Sequence, residues 1–248
     1  MDVRIAALIT ALLAFPSLAH AEARAPCDML AEADRRAQPF DDQLYHTKIQ
    51  YREGGKLVRT FELSVITKGM HKMLITFEAP GEVRGMRILR PDPDSMYVYH
   101  PEYRRVRRVA AHVRNQGFMG TNVSYDDMSE HRFSDGRWLC KAHQTTAEAW
   151  ILDLTPAPGN EAGYSKLRVS IGRKRIQVER VEYYVGDRHV KSQIREGWRT
   201  MEGLEMAGRI RFVSHDRDAE AIVEMTGWEV NTGVPDSAFT RRALLRDE

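Results

Sequence analysis

This 248-residue sequence predicts a mainly β fold, an antiparallel sheet of many strands with little helix. Three observations carry that reading. Apolar and polar residues alternate through one segment after another. Turn residues punctuate the chain about every ten residues. After the first residues, no stretch shows a long helical period, so short antiparallel connections fit better than helical crossovers.

The elements follow in order. Met1 to Ala21 reads as a secretory leader: Arg4 is its cation, Ile5 to Phe15 is apolar, Pro16 breaks the run, and Ala19-His20-Ala21 offers a cleavage site after Ala21. The apolar run is shorter than the roughly 20 residues a permanent anchor needs. Cys27 follows Arg24-Ala25-Pro26, which lacks the apolar and small residues of a lipoprotein processing site. A periplasmic protein without its own lipid is expected. Residues 22–43 form an N-terminal helical segment, in which "DMLAEADRRAQ" from Asp28 has a possible cap at Asp28 and a small apolar face of Met29, Leu30 and Ala33. Residues 44–248 are expected to form one β domain, since no linker divides them.

The strands start with a hairpin about Gly54-Gly55. Its second arm puts Phe61, Leu63 and Val65 on one face. Beyond it Met73, Ile75 and Phe77 share a side with His71, followed by Met86 and Ile88, then Met96 and Val98. Ala79-Pro80-Gly81, Pro91-Asp92-Pro93-Asp94 and His100-Pro101 supply turns. The second half continues as "AEAWILDLTP", "YSKLRVSIG", "RIQVERVEYYVG", "RHVKSQIREGW", "LEMAGRIRFVS" and "EAIVEMTGWEV". A sheet of this many strands twists and curls; alternation alone does not say whether it closes.

Composition narrows the chemistry. Loss of the leader removes Asp2 and Arg4 together, so the net charge stays near +2, too balanced to point to nucleic acid. Cys27 and Cys140, the two cysteines, are a disulfide candidate in an oxidising compartment, or else two isolated thiols. The nine histidines, His100, His112, His131 and His143 among them, lack metal-ligand spacing, and no metal or cofactor is implied. Asp126-Asp127 would point to opposite faces of an extended segment, so capping by Ser124 or Asp126 is preferred to catalysis. No nucleophile elbow or phosphate loop is present, and the protein is read as no enzyme. Arg104, Arg105, Arg107 and Arg108 are either a solvated edge that discourages aggregation or a contact for lipid headgroups or an acidic partner. Met70, Met73, Met86, Met96, Met119 and Met128 suit either an adaptable apolar site or a plain core.

The linked motifs "FEAPGEVRGMRIL", "MYVYHPEYRRVRRV" and "FMGTNVSYDDM" resemble the longer periplasmic branch of the LolA-like outer-membrane lipoprotein-sorting proteins. Pro80, Gly85, Tyr99, Pro101, Arg105 to Arg108, Phe118, Met119, Gly120, Ser124, Tyr125 and Asp127 carry the pattern, and "TGVPDSAFTRRAL" extends it to the C-terminal region. The resemblance implies a curved antiparallel sheet, an incomplete barrel with a helical lid, enclosing an apolar cavity that shelters acyl chains in transport for outer-membrane biogenesis. On that basis the cavity wall is expected to include Phe61, Leu63, Val65, Met73, Ile75, Phe77, Met86, Ile88, Met96 and Val98, with Phe118 and Met119 on a rim stretch running from Asn115 to Phe133. Implied partners are lipid or lipoprotein acyl chains, and an inner-membrane RND-type exporter or an outer-membrane acceptor. A sensor of the same fold, binding lipidated cargo and signalling to a membrane partner, is the alternative; a hydrolase is a third.

Overall fold

A computed structural model describes residues 25–128, 132–160 and 162–245. The expected leader and its cleavage site lie outside these residues, as does His131. Alternation resolves into thirteen strands: β1 (Asp42–Glu53), β2 (Lys56–Lys68), β3 (Lys72–Ala79), β4 (Arg87–Asp92), β5 (Ser95–His100), β6 (Arg105–Arg108), β7 (Trp138–Thr145), β8 (Ala149–Pro156), β9 (Lys166–Gly172), β10 (Gln177–Val185), β11 (Arg188–Met201), β12 (Leu204–Ser214) and β13 (Ala219–Val230). β1 therefore begins two residues before the boundary expected at Leu44.

All pair antiparallel in one sheet, in the order β6-β5-β4-β3-β2-β1-β13-β12-β11-β10-β9-β8-β7. The chain descends to one edge at β6, crosses to the opposite edge at β7, and climbs back until β13 meets β1. β6 and β7 do not pair with each other, so the barrel stays open. The first hairpin turns at Gly54-Gly55, with Glu53 facing Lys56 as the glycine pair anticipates.

An open curved sheet leaves a concave apolar face that must be covered. Helix α1 (Asp28–Ala37) covers one half of it. Met29, Leu30 and Ala33 seat on Leu152 and Leu154 of β8, Leu167 and Val169 of β9, and Val181 of β10. Asp28 is the first helical residue, not the cap; the cap position is held by Cys27, which makes no side-chain cap bond. The Asp28 carboxylate instead faces the positive end of the helix dipole. Cys27 is disulfide-bonded to Cys140 of β7, fastening the start of α1 to the sheet's edge across a separation of 113 residues.

The convex face is covered as well. Leu74, Leu89, Tyr97 and Tyr99 point away from the concave side and are capped by Val234, Phe239 and Leu244 of the C-terminal segment. That segment is held by Asp42. Its carboxylate accepts from the Thr232 amide at 2.7 Å, the Thr232 hydroxyl at 2.8 Å, the Gly233 amide at 2.9 Å and the Val234 amide at 3.1 Å. Burial alone would raise the Asp42 pKa, but these donors outweigh it and the pKa is lowered.

Two expectations follow. Replacing Cys27 and Cys140 together by serine lowers stability by up to about 4–5 kcal/mol on the chain-entropy account, read as a shift in urea midpoint that reductant reproduces in the wild type. Asp42→Ala costs about 2 kcal/mol at neutral pH. Because a depressed acid stabilises only while ionised, that cost shrinks as pH falls from the ordinary value of 3.8 through the lower folded value. Equal deficits in chemical denaturation at pH 7 and pH 2 would contradict this role.

Candidate functional site

The other half of the concave face is closed by the segment after β6. A short helix α2 (Ala111–Arg114) leads into a small loop in which Gly117 bridges to Ser124. Gly117 has no room for a side chain, since a Cβ would lie 1.9 Å from the Thr121 carbonyl oxygen. Gly120 turns the chain at φ +80°, a conformation open to glycine. Between them Phe118 points inward and Met119, at φ 47°, points out. We call residues 115–128 the lid.

Three anchors seat it. Phe118 stacks on Phe77 of β3 at 5.0 Å between centroids and meets Phe61 and Tyr125 edge-on at 5.7 and 5.4 Å. Such ring pairs add about 0.5–1.5 kcal/mol each beyond area burial. Asn122 donates from Nδ2 to the Phe212 carbonyl of β12 at 3.0 Å. Asp127 is the third anchor. It accepts from the Ser124 amide at 2.8 Å while its own amide donates to Ser124 Oγ at 3.1 Å, a reciprocal cap. The same carboxylate accepts from Lys191 Nζ of β11 at 2.6 Å, and the two side chains are only 2% and 8% exposed. Aromatic faces surround the ammonium, Tyr183 at 4.4 Å, Tyr164 at 5.2 Å and Phe212 at 5.7 Å. Burial would lower the Lys191 pKa, but Asp127 and Tyr164 more than offset this and raise it.

Between lid, α1 and sheet lies a cavity of about 130 Å³. Its lining includes the apolar residues Leu63, Val65, Ile75, Val223 and Phe212, together with Met70, Met128, Met206 and Met225. Polar side chains lie among them: Thr47 stands opposite Leu63 and Met225, Gln193 stands opposite Phe212, and Asp34, Gln38 and Gln43 also line it. Gln38 Oε1 and Gln43 Nε2 are buried without a hydrogen-bond partner among the described residues. Asp34 accepts from the Ser134 amide at 2.8 Å and hydroxyl at 2.6 Å, linking α1 to the chain beyond the lid. Burial raises the Asp34 pKa against those bonds. Adjoining the cavity, and sharing Asp127 and Arg132 with it, is a cleft of about 550 Å³ of mixed character, where Arg90, Arg114, Arg137, Asp94, Asp126 and Asp135 stand beside Phe133, Trp138, Tyr164 and Leu167.

Leu63, Val65 and Ile75, expected in the wall, line the cavity. Phe61, Met73, Phe77, Met86, Ile88, Met96 and Phe118 lie on the same concave side but pack into continuous core, with Val98 partly buried against it. Met119 stands 40% exposed, turned away from both. Of the six clustered methionines only Met70 and Met128 reach the cavity. Met206 and Met225 reach it from the second half of the chain, where the signal was available: both sit in phase with Phe212 and Val223 on alternating strands. Arg104, Arg105, Arg107 and Arg108 lie at the β6 edge, all exposed.

Two histidines that sequence spacing left apart also meet, on the convex face. His189 and His215 rings lie 4.1 Å apart, and Ser192 Oγ sits 3.0 Å from Nε2 of each. Ser192 is fully buried and also accepts from Arg180 at 3.1 Å.

The open antiparallel sheet, with one helix and a lid across its concave side, is a LolA-like fold. A LolA superfamily protein from Nitrosomonas europaea superposes with a TM-score of 0.73 at 17% identity, covering 88% of this chain and 98% of that one. A domain from Vibrio parahaemolyticus, provisionally described as an outer membrane lipoprotein-sorting protein, gives 0.77 at 19% identity over 88% and 97%. A DUF1329 family protein from Desulfovibrio piger ATCC 29098 gives 0.78 at 22% identity over 88% and 97%. The chain belongs to the family whose model, described as "Uncharacterized protein", matches residues 69–246. Among curated proteins none matches this sequence significantly. Among the described residues, no helix is long and apolar enough to cross a membrane.

The buried pair makes a specific prediction. Lys191→Met strands the Asp127 carboxylate and costs about 3–5 kcal/mol, whereas Lys191→Met with Asp127→Asn recovers much of that loss. Lysine raised by a partner stabilises while protonated, so the pair's contribution is full below the ordinary value of 10.5 and is lost as pH rises through the higher folded value. Alkaline denaturation curves of wild type and double variant should therefore converge; parallel curves would remove the pair from this role.

Proposed function

We propose that this protein is a periplasmic carrier that shelters the apolar part of an amphiphile, an acyl chain of a lipid or lipoprotein, between sheet, α1 and lid, with no chemical step. The observation that supports it best is the mixed lining of the cavity: four methionines and branched apolar side chains lie with Gln38 Oε1 and Gln43 Nε2, which are buried without a hydrogen-bond partner among the described residues. An apolar ligand alone would leave those amides unsatisfied at a cost of about 1–3 kcal/mol each. A ligand with a polar group joined to a hydrocarbon segment answers both kinds of lining, and the adjoining cleft offers charged side chains to a headgroup.

Size sets how such a ligand is held. An apolar cavity of about 150 Å³ admits a benzene ring, so this one takes about six carbons. At about 0.8 kcal/mol per methylene, six carbons gain about 5 kcal/mol, less than a bilayer returns for a whole tail. A full acyl chain therefore requires the lid or α1 to move, and the unbranched methionine side chains can re-pack as it enters. This is suited to exchange, where tight storage would prevent release.

A hydrolase reading would start from Ser192 with its two histidines. Ser192 has no exposed surface, so a carbonyl carbon has no approach to its hydroxyl oxygen. An inner-membrane exporter as donor and an outer-membrane acceptor complete the proposal.

Titration with a fluorescent acyl probe tests it. Wild type binds the probe saturably. Val223→Trp, which places a large ring on the cavity wall, weakens binding by at least about tenfold. Val58→Trp, on an exposed part of β2, leaves affinity unchanged. Equal affinity for Val223→Trp and wild type, with both variants folded by circular dichroism, would exclude the cavity as the binding site.

A further inference from the structure

The arginines of β6 acquire partners from the far end of the chain. Arg241 and Arg242 of the C-terminal segment face Arg104, Arg105 and Arg107 across an open groove of about 720 Å³. Val106 and Leu245 complete the lining, and among the described residues no acidic side chain contributes to it. None of the five arginines forms an ion pair among the described residues. The arrangement is built, not incidental. The 3-10 turn Ala243–Leu245 is fixed by Leu244, fully buried in the convex-face core, and by Arg87 Nη1 donating to the Leu244 carbonyl at 3.3 Å. Arg241 lies over the Tyr97 ring at 5.2 Å.

Five like charges with no counter-charge among the described residues repel one another, and an anion relieves that repulsion. Guanidinium groups match the oxygens of phosphate in paired hydrogen bonds. Two large apolar side chains adjoin the charges and are exposed: Tyr103 at 61% and Leu245 at 54%. Tyrosine and leucine beside arginine suit the boundary between headgroups and acyl chains. Strand addition by an acidic partner is disfavoured, since β6 offers only four residues of edge and arginine on an edge discourages pairing.

We infer that this groove binds the phosphate groups of anionic phospholipids and docks the protein on a membrane surface through the free β6 edge. The inference is independent of what fills the cavity, because Val106 beneath the groove belongs to the convex-face cluster, not to the cavity wall.

Co-sedimentation with vesicles tests it. Wild type should bind vesicles of phosphatidylcholine containing about one third phosphatidylglycerol and ignore vesicles of phosphatidylcholine alone. A basic side chain near an anionic surface multiplies partition about fivefold, so Arg241→Gln with Arg242→Gln should reduce it about 25-fold, as should Arg105→Gln with Arg107→Gln. Arg209→Gln with Arg211→Gln removes the same charge on β12 and should change partition by less than about twofold. Added salt should release the wild type. The proposal fails if both vesicle types bind equally, if neither binds, or if the β12 pair costs as much as either groove pair. It also fails if inorganic phosphate binds in a groove-dependent way while phosphatidylglycerol vesicles do not. The groove variants should keep full acyl-probe affinity, so a docking failure is separable from a carrier failure.

Discussion

The salt bridge between Asp127 and Lys191 is the contact on which the closed form of this molecule rests. Removing two ions from water costs several kcal/mol each, and only close pairing with further hydrogen bonds offsets it. Asp127 meets that demand with the Ser124 amide and the ammonium together, and the ammonium is enclosed by tyrosine and phenylalanine faces. The same lid is seated on other strands as well: Phe118 packs on Phe61 of β2 and Phe77 of β3, while Asn122 reaches β12 beyond β1 and β13.

The open barrel explains why such a lid is needed. With β6 and β7 unpaired, the two halves of the concave face stay far enough apart for α1 to enter on one side and the lid on the other. Each cover buries its own cluster, and the cavity is the seam between them. That seam inherits its mixed chemistry from its borders: strands contribute Met206, Met225, branched side chains, Thr47, Gln177 and Gln193, the lid contributes Met128, and α1 and the start of β1 contribute Asp34, Gln38 and Gln43.

Much of this was legible in the chain, for reasons tied to particular residues. Period-two alternation marked the faces correctly: Phe61, Leu63 and Val65 do share the concave side with Met73, Ile75 and Phe77, while Leu74 and Leu89 face the other way. β7 was not recognised, because an edge strand of the pattern Trp-Leu-Cys-Lys-Ala-His-Gln-Thr is mostly exposed and carries no apolar alternation. The convex-face cover left no periodic trace either, since Val234, Phe239 and Leu244 sit on 3-10 turns with irregular spacing. Contacts between distant segments were beyond reach: nothing in the chain marks Lys191 as the partner of Asp127, 64 residues away. Position along a face proved a coarser guide than burial, which separates Leu63 and Ile75 at the cavity from Met86 and Met96 in solid core.

The central claim is that the seam between α1 and the lid houses hydrocarbon. Native mass spectrometry of the protein isolated from its own host addresses it directly, with the released material identified after denaturation. The account predicts a population heavier than the polypeptide by the mass of an acylated molecule, lost on denaturation. A single species at the bare polypeptide mass, from preparations in which a known lipid-binding protein retains its lipid, would contradict it.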